Sequence, residues 1–129
     1  MRLAEENQYG RSPGRPAGMS FEVFDKGTPA LNGAALRRQV TVYFSKDKSG
    51  PKMDLLIYLP ARARKRVPLL LYLSFSANAS VVDDPGVRLG EIWNRDRKKV
   101  PATRGMGLGR LNPAPFLAQG IGVASPVTA

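Results

Sequence analysis

Val67-Pro68-Leu69-Leu70-Leu71-Tyr72-Leu73-Ser74-Phe75 is the stretch on which the fold turns. It is nearly unbroken apolar sequence opened by a proline. Such a run reads as a strand buried on both faces, as at the centre of a parallel or mixed sheet. A strand tolerates proline near its start. A buried helix is the competing reading, but the short length and the early proline favour a strand.

Upstream, Gln39-Val40-Thr41-Val42-Tyr43-Phe44 is rich in β-branched and aromatic residues and alternates imperfectly, as a half-buried antiparallel strand does. Met53-Asp54-Leu55-Leu56-Ile57-Tyr58-Leu59 is a similar run closed by Pro60. The turn from Ser45 to Pro51 predicts that the two form a hairpin with a longer loop. Phe21 to Phe24 gives a shorter strand signal. Residues 1–18 read as an irregular arm, because Gly10 to Gly18 carries turn chemistry without periodicity. The arm has no apolar core of a secretory signal, so the chain reads as cytosolic or as lacking its natural N-terminus. Its localisation is otherwise undefined.

Downstream, residues 76–112 sustain no period, and a structureless connection of that length is usually functional or disordered. Pro113 to Gly120 predicts a short helix, with Asn112 as N-cap, Pro113 as first residue and Gly120 as stop. Ile121-Gly122-Val123-Ala124 then starts another buried strand. Strand, helix and strand set up a β-α-β crossover, one unit of an open sheet that needs several units to cover both faces. The chain reads as the opening third of something larger.

Composition removes whole classes of chemistry. The 129 residues contain no histidine and no cysteine. No Ser-His-Asp or Cys-His triad can be built within them, and neither can a disulfide framework or the usual zinc sites. None of the eight serines stands in a GxSxG frame. No apolar run approaches the length of a membrane span. No cofactor or metal is expected. Twenty Lys and Arg against ten Asp and Glu give a net charge of +10, which invites a polyanion reading.

The basic runs are Arg62-Arg64-Lys65-Arg66 and Arg95-Arg97-Lys98-Lys99. They could contact phosphates, but the first is equally a charged connector between two prolines, and it contains no aromatic residue for stacking. No specific nucleic-acid partner is expected. Gly105-Met106-Gly107-Leu108-Gly109-Arg110 lacks dinucleotide-binding spacing and reads as a loop. Asp83 and Asp84, with Glu91 and Asp96 nearby, could do acid-base work or bind a hard cation, yet Asp83-Asp84-Pro85-Gly86 is more simply a turn. Trp93 could be a sugar-stacking platform, although an anchor that packs its loop is the plainer reading.

Taken in order, several segments resemble the glucuronoyl esterases, carbohydrate esterases with an α/β-hydrolase fold. They are Tyr9-Gly10-Arg11-Ser12-Pro13, Ala30-Leu31-Asn32-Gly33, Arg37-Arg38-Gln39-Val40-Thr41-Val42 and Met53 to Pro60. The resemblance continues through Val67 to Phe75, Asn78, Asp84-Pro85-Gly86, Trp93, Arg104-Gly105 and Leu117 to Ala124. It implies a serine-type hydrolase of glucuronate esters in xylan, with a polysaccharide ester as substrate and secretion or a periplasmic location as the family's habit. The family's nucleophile, oxyanion arginine, acid and histidine fall beyond this chain, so no catalytic residue carries over. Ala77-Asn78-Ala79 stands where the family often has Gly-Asn-His. By analogy with the fold, the loop Ser76-Ala77-Asn78 is the candidate to offer a backbone N–H to an oxyanion.

The expected fold class is α/β, an incomplete α/β-hydrolase sheet in which antiparallel edge strands lead into parallel core strands, with one helix and long loops. Residues 1–18 form the arm, 19–124 the N-terminal part of the hydrolase domain, and 125–129 a divergent tail. The 129 residues alone are expected to be inactive. The alternatives are a small basic module binding RNA or another polyanion, or a remnant without function. Oligomeric state is undefined.

Overall fold

The computed structural model describes residues 2–74, 76–105 and 111–128. The chain opens with a helical turn, α1 (Arg2–Ala4), extended by a π-type turn over Glu5–Tyr9. Strands β1 (Ser20–Ala30), β2 (Ala35–Tyr43), β3 (Lys52–Pro60) and β4 (Leu69–Leu71) follow. A short helix α2 (Asn78–Val81), strands β5 (Glu91–Trp93) and β6 (Lys99–Pro101), helix α3 (Ala114–Ala118) and strand β7 (Gly122–Thr128) complete the order. Five strands form one mixed sheet in the order β1-β2-β3-β7-β4, and β5 and β6 pair separately.

The predicted hairpin is present: β2 and β3 are antiparallel from Ala35↔Pro60 to Tyr43↔Lys52. The first strand is much longer than Phe21–Phe24. It runs to Ala30 with register shifts between Val23 and Asp25 and between Lys26 and Thr28. Those irregularities break the alternation that a sequence pattern relies on. Lys26 and Pro29 suit the outermost position, where charge and a missing N–H are tolerated. The turn into β2 places Leu31, Asn32 and Gly33 at φ of 54°, 58° and 82°.

The crossover also forms as expected. β4 and β7 are parallel, Leu69↔Gly122 to Leu71↔Ala124, with α3 between them in the chain. Asn112 Oδ1 accepts the Ala114 N–H at 3.1 Å, and Gly120 at φ 76° ends the helix. β7 extends through Ser125, Pro126 and Val127 to Thr128, paired antiparallel with β3.

Two expectations are corrected. The apolar run of 67–75 is not a central strand buried on both faces. Among its described residues Leu69–Leu71 is strand; it lies at the end of the sheet, and all three leucines are exposed. Its hydrophobicity matches a sheet that continues beyond β4, but no described strand lies there. The described residues of the 76–112 segment are not a loose connection either. All four residues of α2 are buried, as are Val82, Asp84, Val87 and Ala102. The segment's described residues, 76–105 and 111–112, are irregular yet packed, because side-chain and backbone bonds replace a period of their own.

The core lies on one face of the sheet. It joins Ala35, Leu56 and Tyr58 of the strands to Ala79 and Val81 of α2, Val82, Val87, and Leu117 of α3. On the opposite face, Val42 is buried while Leu36, Val40, Leu55, Ile57 and Leu59 are half-buried. Neither α2 nor α3 covers that side.

Candidate functional site

The cored face of β2 is polar. Strand alternation puts Arg37, Gln39 and Thr41 on the side that the 77–105 segment covers. Arg37 Nε donates to Asp25 Oδ2 at 2.6 Å, and its Nη1 donates to both Asp84 carboxylate oxygens at 3.0 and 3.1 Å. Tyr58 Oη donates to Asp84 Oδ2 at 2.7 Å. Gln39 Nε2 donates to Asp25 Oδ2 and to the Gly86 carbonyl, and its Oε1 accepts the Arg88 N–H. The Arg37 guanidinium fills the space that a Cβ on Gly86 would need. Arg104 Nη1 closes the turn from the other side through the Asp84 and Val87 carbonyls.

Electrostatics follow from this packing. Burial pushes the Asp84 carboxyl up, but bonds from Tyr58, the Gly86 N–H and Arg37, with the charge of Arg37, outweigh it and hold Asp84 below its ordinary value. Asp25 is opposed by burial in the same way. Bonds from Thr28, Arg37 and Gln39 hold it well below the usual carboxylate range. Burial, and then the bond to Asp84, push the Tyr58 hydroxyl far up, so it is a proton donor and not a phenolate. This network is a clamp in which two carboxylates share one guanidinium. It binds the 84–88 turn to β1, β2 and β3.

The Asp83-Asp84 pair therefore does not act as a pair. Asp83 is exposed, while Asp84 is buried in the ion pair. The turn reading holds for the backbone, where the Gly86 N–H meets Asp84 Oδ1. It missed the clamp. The available signal was Arg37 on the same face of β2 as Gln39 and Thr41, a polar face that needs polar partners, and for Arg37 a carboxylate, once it is covered.

The three candidate oxyanion-loop residues follow β4. Ser76 is half-buried, and its N–H donates to Ser74 Oγ at 3.1 Å. Ala77 and Asn78 are buried at the start of α2. Asn78 Nδ2 donates to the Asp54 carbonyl at 3.1 Å, while its Oδ1 has no partner among the described residues. Ala77 and Asn78 line a crevice of about 30 Å³ together with Asp54, Val87, Arg88 and Glu91. It has room for a water molecule or two, not a sugar. Arg88 roofs the neighbouring surface, with its guanidinium 3.5 Å from the centre of the Phe24 ring.

Other sequence candidates stay apart. Arg62, Arg64, Lys65 and Arg66 are exposed on the β3–β4 connection. Trp93 is not a packing anchor: it is 66% exposed on the β5–β6 hairpin, because the hairpin turns Ile92 and Val100, not Trp93, toward its half-buried side. Gly107 and Gly109 lie outside the described residues. Among the described residues no acidic cluster could hold a metal ion, and no helix is long and apolar enough to cross a membrane.

Comparison with known proteins finds homologues among the carbohydrate esterases. No family model matches the chain. A glucuronoyl esterase from Solibacter usitatus superposes with a TM-score of 0.82 at 44% sequence identity, over 90% of this chain. This chain is homologous to the glucuronoyl esterases. Carbohydrate esterase MZ0003, from an unknown prokaryotic organism, is 40% identical over 131 residues, or 95% of this glucuronoyl-esterase homologue. A promiscuous CE15 esterase from a marine bacterial metagenome superposes with a TM-score of 0.79 at 38% identity over 97% of the chain. The homologue spans only 30 to 33% of the length of these relatives.

Proposed function

We propose that the chain supplies the antiparallel edge and first parallel strands of the α/β-hydrolase sheet of a carbohydrate esterase that hydrolyses glucuronate esters of xylan. The observation that carries the reading is the 44% identity to a glucuronoyl esterase at a TM-score of 0.82. In open parallel sheets, ligands bind beyond the carboxyl ends of the strands. Ser76-Ala77-Asn78 follows that end of β4 within a few residues.

In this reading the loop contributes to oxyanion stabilisation, where a fixed N–H meets the negative oxygen of the tetrahedral intermediate. The Ser76 N–H is engaged by Ser74, which leaves the N–H groups of Ala77 and Asn78 for the role. A histidine general base has to come from residues outside these 129, because the chain contains none, and the resemblance implies the same of the nucleophile and the acid. The clamp of Arg37, Asp25, Asp84 and Tyr58 fixes the segment that follows the loop against the sheet.

The experiment is an assay of the isolated chain on a glucuronate ester of an aromatic alcohol. The expected result is no hydrolysis above the uncatalysed rate. Saturable hydrolysis by the 129 residues would overturn the reading.

A further inference from the structure

We propose that the β5–β6 hairpin is a binding element for an acidic, uronate-bearing polysaccharide, with Trp93 as its stacking platform and the surrounding cations as its carboxylate partners. Trp93 is the sole tryptophan of the chain and is 66% exposed. A large aromatic ring left in water beside four cations, which outnumber Glu91 and Asp96 of the same hairpin, marks an interaction surface.

The ring stands on a built rib. Trp93 pairs across the ladder with Lys99, whose Nζ lies 5.5 Å from the ring centre. The turn is held by the Asn94 N–H donating to the Lys98 carbonyl at 2.9 Å and the Arg97 N–H donating to the Asn94 carbonyl at 3.1 Å. Asn94 Oδ1 accepts the N–H groups of Asp96 and Lys98, each at 2.9 Å. Arg97 takes the left-handed conformation, φ 57°, that the turn requires. Arg95, Arg97, Lys98 and Lys99 are exposed, and none forms an ion pair among the described residues.

An indole face takes the apolar C–H face of a pyranose, and ammonium or guanidinium groups beside it take the carboxylate of a uronic acid. A neutral glycan has no use for the four cations. Single-stranded nucleic acid is bound by several rings that stack successive bases, and this hairpin carries one. The hairpin also springs from the rim of the crevice beside Ala77 and Asn78, which Gly90 and Glu91 line as well. The choice of a sugar polymer rests on the carbohydrate-esterase reading. The test reads binding and not hydrolysis, so the two can fail separately.

The test titrates the full chain with glucuronoxylan, with neutral arabinoxylan and with single-stranded RNA at physiological salt. It follows tryptophan emission, which comes from Trp93 alone, and co-sedimentation with insoluble glucuronoxylan. The expected result is a saturable emission change with glucuronoxylan only. Co-sedimentation should weaken roughly tenfold in Trp93→Ala and in Lys98→Ser/Lys99→Ser, a loss of about 1.4 kcal/mol. Absence of any emission change, an equal response to arabinoxylan, or equal binding of RNA would each overturn the proposal.

Discussion

Arg37 and Asp84 are 47 positions apart in the chain, yet the Arg37 Nη1 donates to both oxygens of the Asp84 carboxylate. Their side chains are only 11% and 6% exposed. Removing one partner of such a pair strands the other charge out of water, at a cost of about 3–5 kcal/mol. Arg37→Ala is the more severe change, because it leaves Asp25 and Asp84 without their shared cation. The expected outcome is a lowered urea midpoint for both Arg37→Ala and Asp84→Ala. A midpoint equal to that of the parent chain in either variant would show that the clamp is not stabilising.

The same clamp sets a pH dependence. Asp25 and Asp84 have folded-state values below their ordinary ones, so the unfolded chain binds more protons at acid pH. Their contribution is complete above the unfolded carboxylate range near ~4 and is lost as pH falls through the folded values. Tyr58 is raised, so it adds a loss of stability as pH rises past the ordinary tyrosine value near ~10. Thermal melts across pH should show a plateau between these limits. Tyr58→Phe should flatten the alkaline limb and also shrink the acid limb, because it removes one of the bonds that hold Asp84 down.

These residues also show how far the sequence could be read. The β2–β3 hairpin, the helix between Asn112 and Gly120 and the parallel β4–β7 crossover were legible, because alternation, capping and proline or glycine punctuation are local signals. The position of the 67–75 run was not, because hydrophobicity records burial without saying what buries it. The order in residues 76–105 and 111–112 was hidden for the opposite reason. Its regularity comes from long-range bonds such as Ser80 Oγ to the Thr103 carbonyl at 2.7 Å and the Leu111 N–H to the Val81 carbonyl at 3.1 Å. In β2 the covered face carries Arg37, Gln39 and Thr41, so alternation alone points the core to the wrong side. The candidate loop could be named from the resemblance, whereas the engagement of the Ser76 N–H required coordinates.

The open end of the sheet makes a prediction about solution behaviour. Leu69, Leu70, Leu71 and Leu73 are 50%, 38%, 57% and 75% exposed along β4 and the residues after it. A hydrophobic edge strand recruits other chains. Size-exclusion chromatography of the isolated chain should show concentration-dependent self-association. Leu71→Lys/Leu73→Lys should shift it toward monomer without lowering the melting temperature. Monomeric behaviour of the parent chain at high concentration would show that the edge is already satisfied.

If these residues are an interchangeable part of a glucuronoyl-esterase sheet, they should work in place of the matching segment of a relative. The direct measurement replaces the aligned segment of the Solibacter usitatus esterase with this chain and follows hydrolysis of a glucuronate ester. The account predicts a folded chimera that hydrolyses the ester, with a reduced kcat when Ala77→Pro removes the N–H of that loop. A chimera that folds, by circular dichroism and a cooperative melt, yet shows no ester hydrolysis would contradict it.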